Sequence, residues 1–450
     1  MALTGIQIFK YLPKKNCGEC HFPTCLAFAM RLASAQAKLS DCPYVSDEAT
    51  QFLGAASAPP IRLIKLGQGE EAVEIGDETV LFRHEKKFNH PTILAANIED
   101  TSSREEIERK VQAVEDSEIE RVGQKLRVEM LCLTSCSQDP QKYQQMVKQV
   151  AEKTKKPLIL SAPDNKVIEA GLEIVAERKP LLYAATEQSI DAMASLAKSK
   201  GCPLVIKAEG LEALAALAEK AASLGVEDLV LDSGGRKAGS QLSDMTQIRR
   251  AAIKQKFKAL GYPTIAWASE DTDDADLATA RACIGILKYA SIVVIDDVSK
   301  EVLLPLFTVR QNIFTDPQQP MQVEEKLYKI GDADENSPLL ITTNFSLTYF
   351  IVLGEVEESK VPSWMLVADC EGMSVLTAWA ADKFNAPKIA KLVKNNNMEG
   401  HLKHRELVIP GYVAILSGEI EEELPGWKIQ VGPREAVNIP KFLRSYNVAS

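Results

Sequence analysis

No apolar run in this 450-residue sequence reaches membrane-spanning length, and Met1-Ala2-Leu3-Thr4-Gly5 leads straight on without a secretory hydrophobic region. Both absences predict a cytoplasmic protein that meets no membrane. Positive charge is in deficit: 52 Lys and Arg against 62 Asp and Glu leave a formal net charge of −10. A nucleic-acid surface draws its affinity mostly from Lys and Arg on phosphates, so that class of partner is disfavoured. No G-x-G-x-x-G occurs, which argues against a dinucleotide. Histidine is scarce, at five residues. Of these, His401 and His404 form H-x-x-H beside Lys403 and Arg405 and read as solvent-facing loop residues.

What is present is ordinary in bulk and unusual in one place. Hydrophobic residues at 46% and charged residues at 25% suit a globular chain, and the length calls for two or three domains. Near the start, Cys17, Cys20, Cys25 and Cys42 read C-x2-C-x4-C-x16-C, with Pro43 directly after. Three thiolates close in sequence and one distant suit a 4Fe–4S core, whereas structural zinc more often uses two matched C-x2-C knuckles. The spacing therefore points to iron, with zinc or a disulfide pair set as alternatives. Thr24 stands as the N-cap of a helix from Cys25, whose positive dipole end would face the metal, and Lys14 and Lys15 add charge of that sign. The N–H groups of Gly18 and Glu19 are available to sulfur. The other cysteines, Cys132, Cys136, Cys202, Cys283 and Cys370, read as free, buried thiols in a reducing compartment.

Residues 1–57 form the candidate cluster domain, closed by the linker Ala55-Ala56-Ser57-Ala58-Pro59-Pro60. Over 58–91, Ile61–Leu66 and Thr79–Arg83 look like paired short strands. Across 92–318, eight strand-like runs alternate with amphipathic helices, beginning at Thr92, Val128, Pro157, Pro180, Pro203, Leu229, Pro263 and Ile292. That alternation predicts a (β/α)8 TIM barrel rather than an open doubly wound sheet. Polar residues gather at the expected strand ends: Asn97, Asp100, Thr134, Ser135, Ser161, Asp164, Glu209, Asp232, Ser269, Glu270, Asp296 and Asp297. No histidine and no nucleophile–base pair joins them, so no catalytic residue is assigned there.

From 325 to 450 the alternation restarts as a smaller, Rossmann-like α/β domain. Four loops should meet over its strand ends. They are Thr342-Thr343-Asn344-Phe345-Ser346, Cys370-Glu371-Gly372-Met373-Ser374, Ile409-Pro410-Gly411-Tyr412 and Gly432-Pro433-Arg434-Glu435-Ala436. Glycine in three of the four allows close backbone approach to a large flat ligand, and small hydroxyls and amides could bond its polar side chains.

Longer motifs carry a resemblance that spans the chain. K-K-N-C-G-E-C-H-F-P-T-C-L-A-F-A-M, S-D-C-P-Y-V-S-D, T-T-N-F-S-L-T-Y-F, D-C-E-G-M-S-V-L-T-A-W-A-A-D-K-F, I-P-G-Y-V-A-I-L-S-G-E and V-G-P-R-E-A are its most specific parts. With them the sequence resembles the large (gamma) subunit of the corrinoid/iron–sulfur protein of the reductive acetyl-CoA (Wood–Ljungdahl) pathway. The resemblance implies a 4Fe–4S domain, a barrel and a C-terminal corrinoid-binding domain, paired with a small subunit in a heterodimer. It implies a methyl carrier: cobalt(I) accepts methyl from methyltetrahydrofolate through a methyltransferase and donates it to the nickel cluster of acetyl-CoA synthase. Many corrinoid domains offer D-x-H-x-x-G, but here Asp369-Cys370-Glu371-Gly372 fills the comparable loop without histidine. A base-off cobamide with no protein His ligand follows, and the cluster, served by a reductive activator, would rescue cobalt(II). Two rivals are a barrel methyltransferase or iron–sulfur redox enzyme acting without corrinoid, and a redox adaptor.

Overall fold

A computed structural model of the chain describes residues 4–33, 37, 39–46, 49 and 59–446. The predicted linker Ala55–Ala58 lies outside the described residues. Among those near the N-terminus, α1 (Gly5–Phe9) and α2 (Cys25–Ala33) bury Ile8, Leu12, Phe28, Ala29 and Leu32 in a small core that also holds Cys20, Cys25 and Cys42. Thr24 caps α2 as expected, its Oγ1 accepting from Ala27 N at 3.1 Å.

A hairpin of β1 (Ile64–Leu66) and β2 (Val73–Ile75) comes next. The expected partner, Thr79–Arg83, forms no strand; the chain turns earlier, at Gly67 and Gly69, both at positive φ. Ile64, Leu66 and Ile75 pack with the inward-facing residues Ile93, Met130, Ile159, Val205, Val230 and Ile292 of the barrel. A Cβ at Gly67 would meet Pro157, and one at Gly76 would meet Pro263, two prolines that open barrel strands. The hairpin therefore plugs the barrel at its amino end.

The barrel strands are β3 (Ile93–Glu99), β6 (Met130–Thr134), β7 (Leu158–Ser161), β8 (Leu181–Ala185), β9 (Leu204–Lys207), β10 (Leu229–Asp232), β11 (Ile265–Trp267) and β12 (Ile292–Ile295). A helix follows each in turn: α3 (Arg104–Glu115), α4 (Pro140–Lys153), α5 (Asn165–Val175), α6 (Ile190–Lys200), α7 (Leu211–Ser223), α8 (Ala238–Ile253), α9 (Ala275–Leu287) and α10 (Lys300–Phe314). All eight strands pair in parallel in the order β10-β9-β8-β7-β6-β3-β12-β11. A parallel bridge between Leu231 and Thr264 joins the two ends of that order, so the predicted barrel is nearly closed. The short hairpin β4 (Ile119–Arg121) and β5 (Gln124–Leu126) belongs instead with the C-terminal compact unit.

That unit contains β13 (Leu327–Ile330), β14 (Leu339–Thr343), β15 (Ser363–Ala368), β16 (Glu406–Ile409) and β17 (Lys428–Val431). Their order is β13-β15-β14-β16-β17, with the edge strand β13 antiparallel and the other four parallel. Its helices are α11 (Ser346–Ser359), α12 (Val375–Ala380), α13 (Ala386–Asn395), α14 (Met398–His401), α15 (Ser417–Glu423) and α16 (Ile439–Ser445). Alternate strand residues face opposite layers: Leu339, Ile341, Leu366 and Leu407 pack with Ile389, Val393 and Ile420, while Leu340, Met365, Val367 and Val408 pack with Tyr349, Val356 and Leu443. This is a doubly wound, Rossmann-like sheet with helices on both faces.

Leu66 is fully buried in the plug, beside an exposed Lys65. Leu66→Ala should lower barrel stability by about 3 kcal/mol and Lys65→Ala by under about 0.5 kcal/mol. Denaturant unfolding followed through Trp267 fluorescence checks both.

Candidate functional site

The chain leaves β14, forms β15 on one side, and returns to form β16 on the other. Strand order reverses between β14 and β16, and in open α/β sheets the crevice beyond the carboxyl ends at such a switch point receives ligands. All four predicted loops follow carboxyl ends of this one sheet: those after β14, β15, β16 and β17.

Thr342 and Thr343 close β14 almost wholly buried, and neither Oγ1 has a hydrogen-bond partner. Successive strand residues point to opposite faces, so one unpartnered hydroxyl lies on each side of the sheet at the switch point. Asn344 is spent differently: its carboxamide is bonded wholly within the chain, to Cys370 N, Gly372 N, Asp369 and Gln322. Ser346 opens α11, its N–H donating to Met321 O at 3.0 Å.

Cys370 is buried and its Sγ lies 3.4 Å from Lys383 O. Burial foremost, then nearby carboxylates against an opposing Lys388, pushes its thiol up to about 11. That keeps the thiol protonated at neutral pH. Exposed Glu371 pairs with Lys383 at 2.7 Å, and the Ser374 and Thr377 hydroxyls are 3.0 Å apart. Met373 packs partly buried against the core.

The glycines let loop approach loop. A Cβ at Gly411 would meet Gly432 O at 2.5 Å and Arg434 N at 2.8 Å, and one at Gly372 would meet Gln322 Cγ at 2.9 Å. Gly411 N donates to Pro433 O and Gly432 N to Ile409 O, stitching the loops after β16 and β17 together. Tyr412 reaches Glu435 across the same seam, where Arg434 is exposed and Ala436 half-buried. Around these loops Leu376, Trp379, Tyr412, Ile415, Val431 and Val437 are exposed, an apolar rim out of keeping with a finished surface.

Histidine is absent from this edge. His404 is buried, not solvent-facing: Nδ1 accepts from Glu406 N at 3.2 Å, which leaves the proton on Nε2 to donate to Ser337 O at 3.0 Å. That places it before β16, at the amino end of the sheet, where exposed His401 also lies near Trp364. The expectation holds for exposed His401 and fails for His404, because H-x-x-H says nothing about burial; His404 closes a backbone gap that no pattern announces.

At the N-terminus, Cys20, Cys25 and Cys42 are buried and Cys17 is exposed. The Cys42 thiol lies above its ordinary value, chiefly from burial, opposed by the Tyr44 backbone and raised further by Cys20, Cys25 and Cys17. Among the described residues no group of three or more His, Cys, Asp or Glu closes round a single ion. The N–H that reaches sulfur is that of Asn16, 3.4 Å from Cys25 Sγ, rather than those of Gly18 or Glu19, and Asn16 Oδ1 accepts from Cys25 N in return. Lys15 lies over the Tyr44 ring, whose hydroxyl donates to Glu19 at 2.8 Å.

The barrel's polar strand ends are engaged with one another. Arg236 bonds Asp232 through two nitrogens and also reaches Glu270, while the Tyr183 hydroxyl donates to Asp232 at 2.6 Å. Asn97 bridges Thr134 and Asp296. Burial alone would raise the Asp100 carboxyl, but bonds from Ser137, Ser135 and the Cys136 N–H hold it below its ordinary value. Asp164 caps α5. All nine cysteines are free; Cys132, Cys202 and Cys370 are buried as expected, but Cys283 is half-buried and Cys136 exposed, since both sit on segments that only the tertiary fold uncovers. Among the described residues no helix is long and apolar enough to cross a membrane.

An N-terminal segment with four cysteines, a nearly closed parallel barrel and a doubly wound C-terminal sheet define a multidomain α/β protein. The family model for the CO dehydrogenase/acetyl-CoA synthase delta subunit matches residues 63–443, and one for an Fe-S cluster segment matches residues 12–44. The large subunit of the corrinoid/iron-sulfur protein of Moorella thermoacetica is 49% identical over 100% of both chains. Gamma subunits of the acetyl-CoA decarbonylase/synthase complex are 36% identical in Methanopyrus kandleri (98% of this chain, 97% of the relative) and 35% in Methanothermobacter thermautotrophicus (98% and 99%). The chain belongs to the family of corrinoid/iron–sulfur protein large subunits.

An unpartnered buried hydroxyl carries a desolvation cost that an isosteric methyl does not. Thr343→Val should stabilise the C-terminal unit by about 1 kcal/mol. Denaturant unfolding followed through Trp364 and Trp427 fluorescence checks it.

Proposed function

We propose that this chain is the cluster- and corrinoid-bearing subunit of a methyl carrier in the acetyl-CoA pathway, moving methyl from methyltetrahydrofolate to acetyl-CoA synthase. The observation that carries the reading is the pair of orphaned, buried hydroxyls of Thr342 and Thr343 at the switch point, inside an apolar rim. Those residues fit a large, mostly apolar ligand that brings a few polar groups. When bound, a corrinoid supplies a cobalt centre able to take up and release a methyl group, and a 4Fe–4S cluster supplies single electrons for its reductive reactivation.

The chain's own part is to hold and shield. Thr342 and Thr343 offer hydroxyls; Gly372, Met373 and Ser374 present one loop, and Gly411, Gly432, Pro433, Arg434, Glu435 and Ala436 the facing pair. The distance of both nearby histidines from this edge supports a base-off corrinoid with no protein His ligand, because His404 is already committed to Ser337 and Glu406. Cys17, Cys20, Cys25 and Cys42 would hold the cluster: Cys25 opens α2 at its positive dipole end, and the Asn16 N–H donates to its sulfur. The exposed Leu376, Trp379, Tyr412 and Ile415 fit a covering partner, read here as the small subunit. A methyltransferase, acetyl-CoA synthase and a reductive activator are the other partners, each needing transient access.

An ultraviolet–visible spectrum with iron and cobalt analysis tests the reading: about four iron and one cobalt per chain are expected, and a protein without cobalt refutes it. Cys20→Ala should keep methyl transfer from pre-reduced protein within about twofold and lose at least about tenfold in reductive reactivation. Equal loss of both, with cobalt retained, would remove the cluster from a repair role.

A further inference from the structure

Asn344 is 2% exposed, and its carboxamide uses its whole hydrogen-bonding capacity on two separate stretches of chain. Oδ1 accepts from Cys370 N at 2.9 Å and Gly372 N at 3.1 Å. Nδ2 donates to Asp369 Oδ1 at 2.9 Å and to Gln322 Oε1 at 3.1 Å. Its backbone continues the tie, donating to Ala368 O and accepting from Val323 N.

What it grips is a tight turn. Met373 N donates to Cys370 O at 3.0 Å, and Glu371 and Gly372 have φ of 54° and 70°. Two successive positive φ values closed by that bond make a type I′ turn. Gly372 suits it; Glu371, with a side chain, does not favour that conformation and has to be held there. Beneath the turn, Pro320 and Gln322 lie so close to Gly372 that no Cβ would fit. The Asn344 amide therefore joins the turn to the strand end and to the segment that carries the chain into this unit.

We propose that Asn344 is a positioning residue: it sets the Cys370–Met373 turn in its final shape before any ligand arrives. Because none of its polar atoms is left over, it shapes the site without touching the ligand. Preorganisation of this kind raises affinity by removing an ordering cost from the binding step. What the turn receives rests on the corrinoid reading above; the shape of the turn does not.

The test uses the full-length chain, with amide hydrogen exchange in the ligand-free state and titration with hydroxocobalamin. Asn344→Ala should speed exchange at Cys370 N and Gly372 N at least about a hundredfold, leave the strand amides of Ile341 and Leu366 unchanged, and weaken hydroxocobalamin binding at least about tenfold. Asn344→Asp keeps the Oδ1 acceptor but sets a second carboxylate oxygen against Asp369 and Gln322 in place of a donor, so exchange at both amides should speed there too. Unchanged protection in Asn344→Ala overturns the proposal; if that variant fails to fold, unchanged protection in Asn344→Asp does so. A wild-type chain that binds no hydroxocobalamin would defeat the corrinoid reading, while the exchange experiment still decides the turn.

Discussion

Where a parallel sheet reverses its strand order, backbone groups run out of sheet partners, and something else must satisfy them. In the C-terminal unit that requirement falls at the β14–β16 junction, and the loops answer it. Asn344 takes the N–H groups of one turn, and Gly411 and Gly432 exchange bonds with Pro433 and Ile409 across another seam. An unmade buried hydrogen bond costs more than a made one gains, so these loops have few alternative shapes. Thr342 and Thr343 stand apart from this economy, as polar groups buried and left without partners. Such exceptions concentrate where a protein expects a ligand.

The same logic separates the other regions. In the barrel the amino end is sealed by a hairpin whose Ile64, Leu66 and Ile75 fill the interior, and the polar mouth satisfies itself through Arg236, Asp232, Tyr183 and Glu270. The barrel keeps unpartnered buried atoms of its own on Gln241, Arg249, Trp267 and Arg281, whereas in the C-terminal sheet the unsatisfied groups are two adjacent hydroxyls at one strand end, beside exposed apolar residues. At the N-terminus a short two-helix core buries three thiols with hydrophobic residues, a setting in which thiolates need a strong counter-charge to persist.

Periodicity made the eight barrel strands and four of the five C-terminal strands legible, because buried parallel strands are near-continuous apolar runs bounded by helices. It missed β13, a short edge strand with a half-exposed pattern, and it paired Ile61–Leu66 with the wrong segment. Both errors concern strands whose identity depends on what they lie against. The candidate loops were legible as loops, but their bonding was not: Asn344 reads like a ligand-facing amide until its four partners appear.

Local sequence alone determined most of the strands and helices of the barrel and the C-terminal sheet, and which family the chain joins. Those properties are carried by spacing along the chain, over which neighbouring residues interact directly. Only the tertiary structure decided that His404 is a buried brace, that the glycines serve loop-to-loop contact, and that two threonine hydroxyls are left waiting. Each depends on atoms brought together from distant parts of the chain, where burial decides what a polar group must bond to.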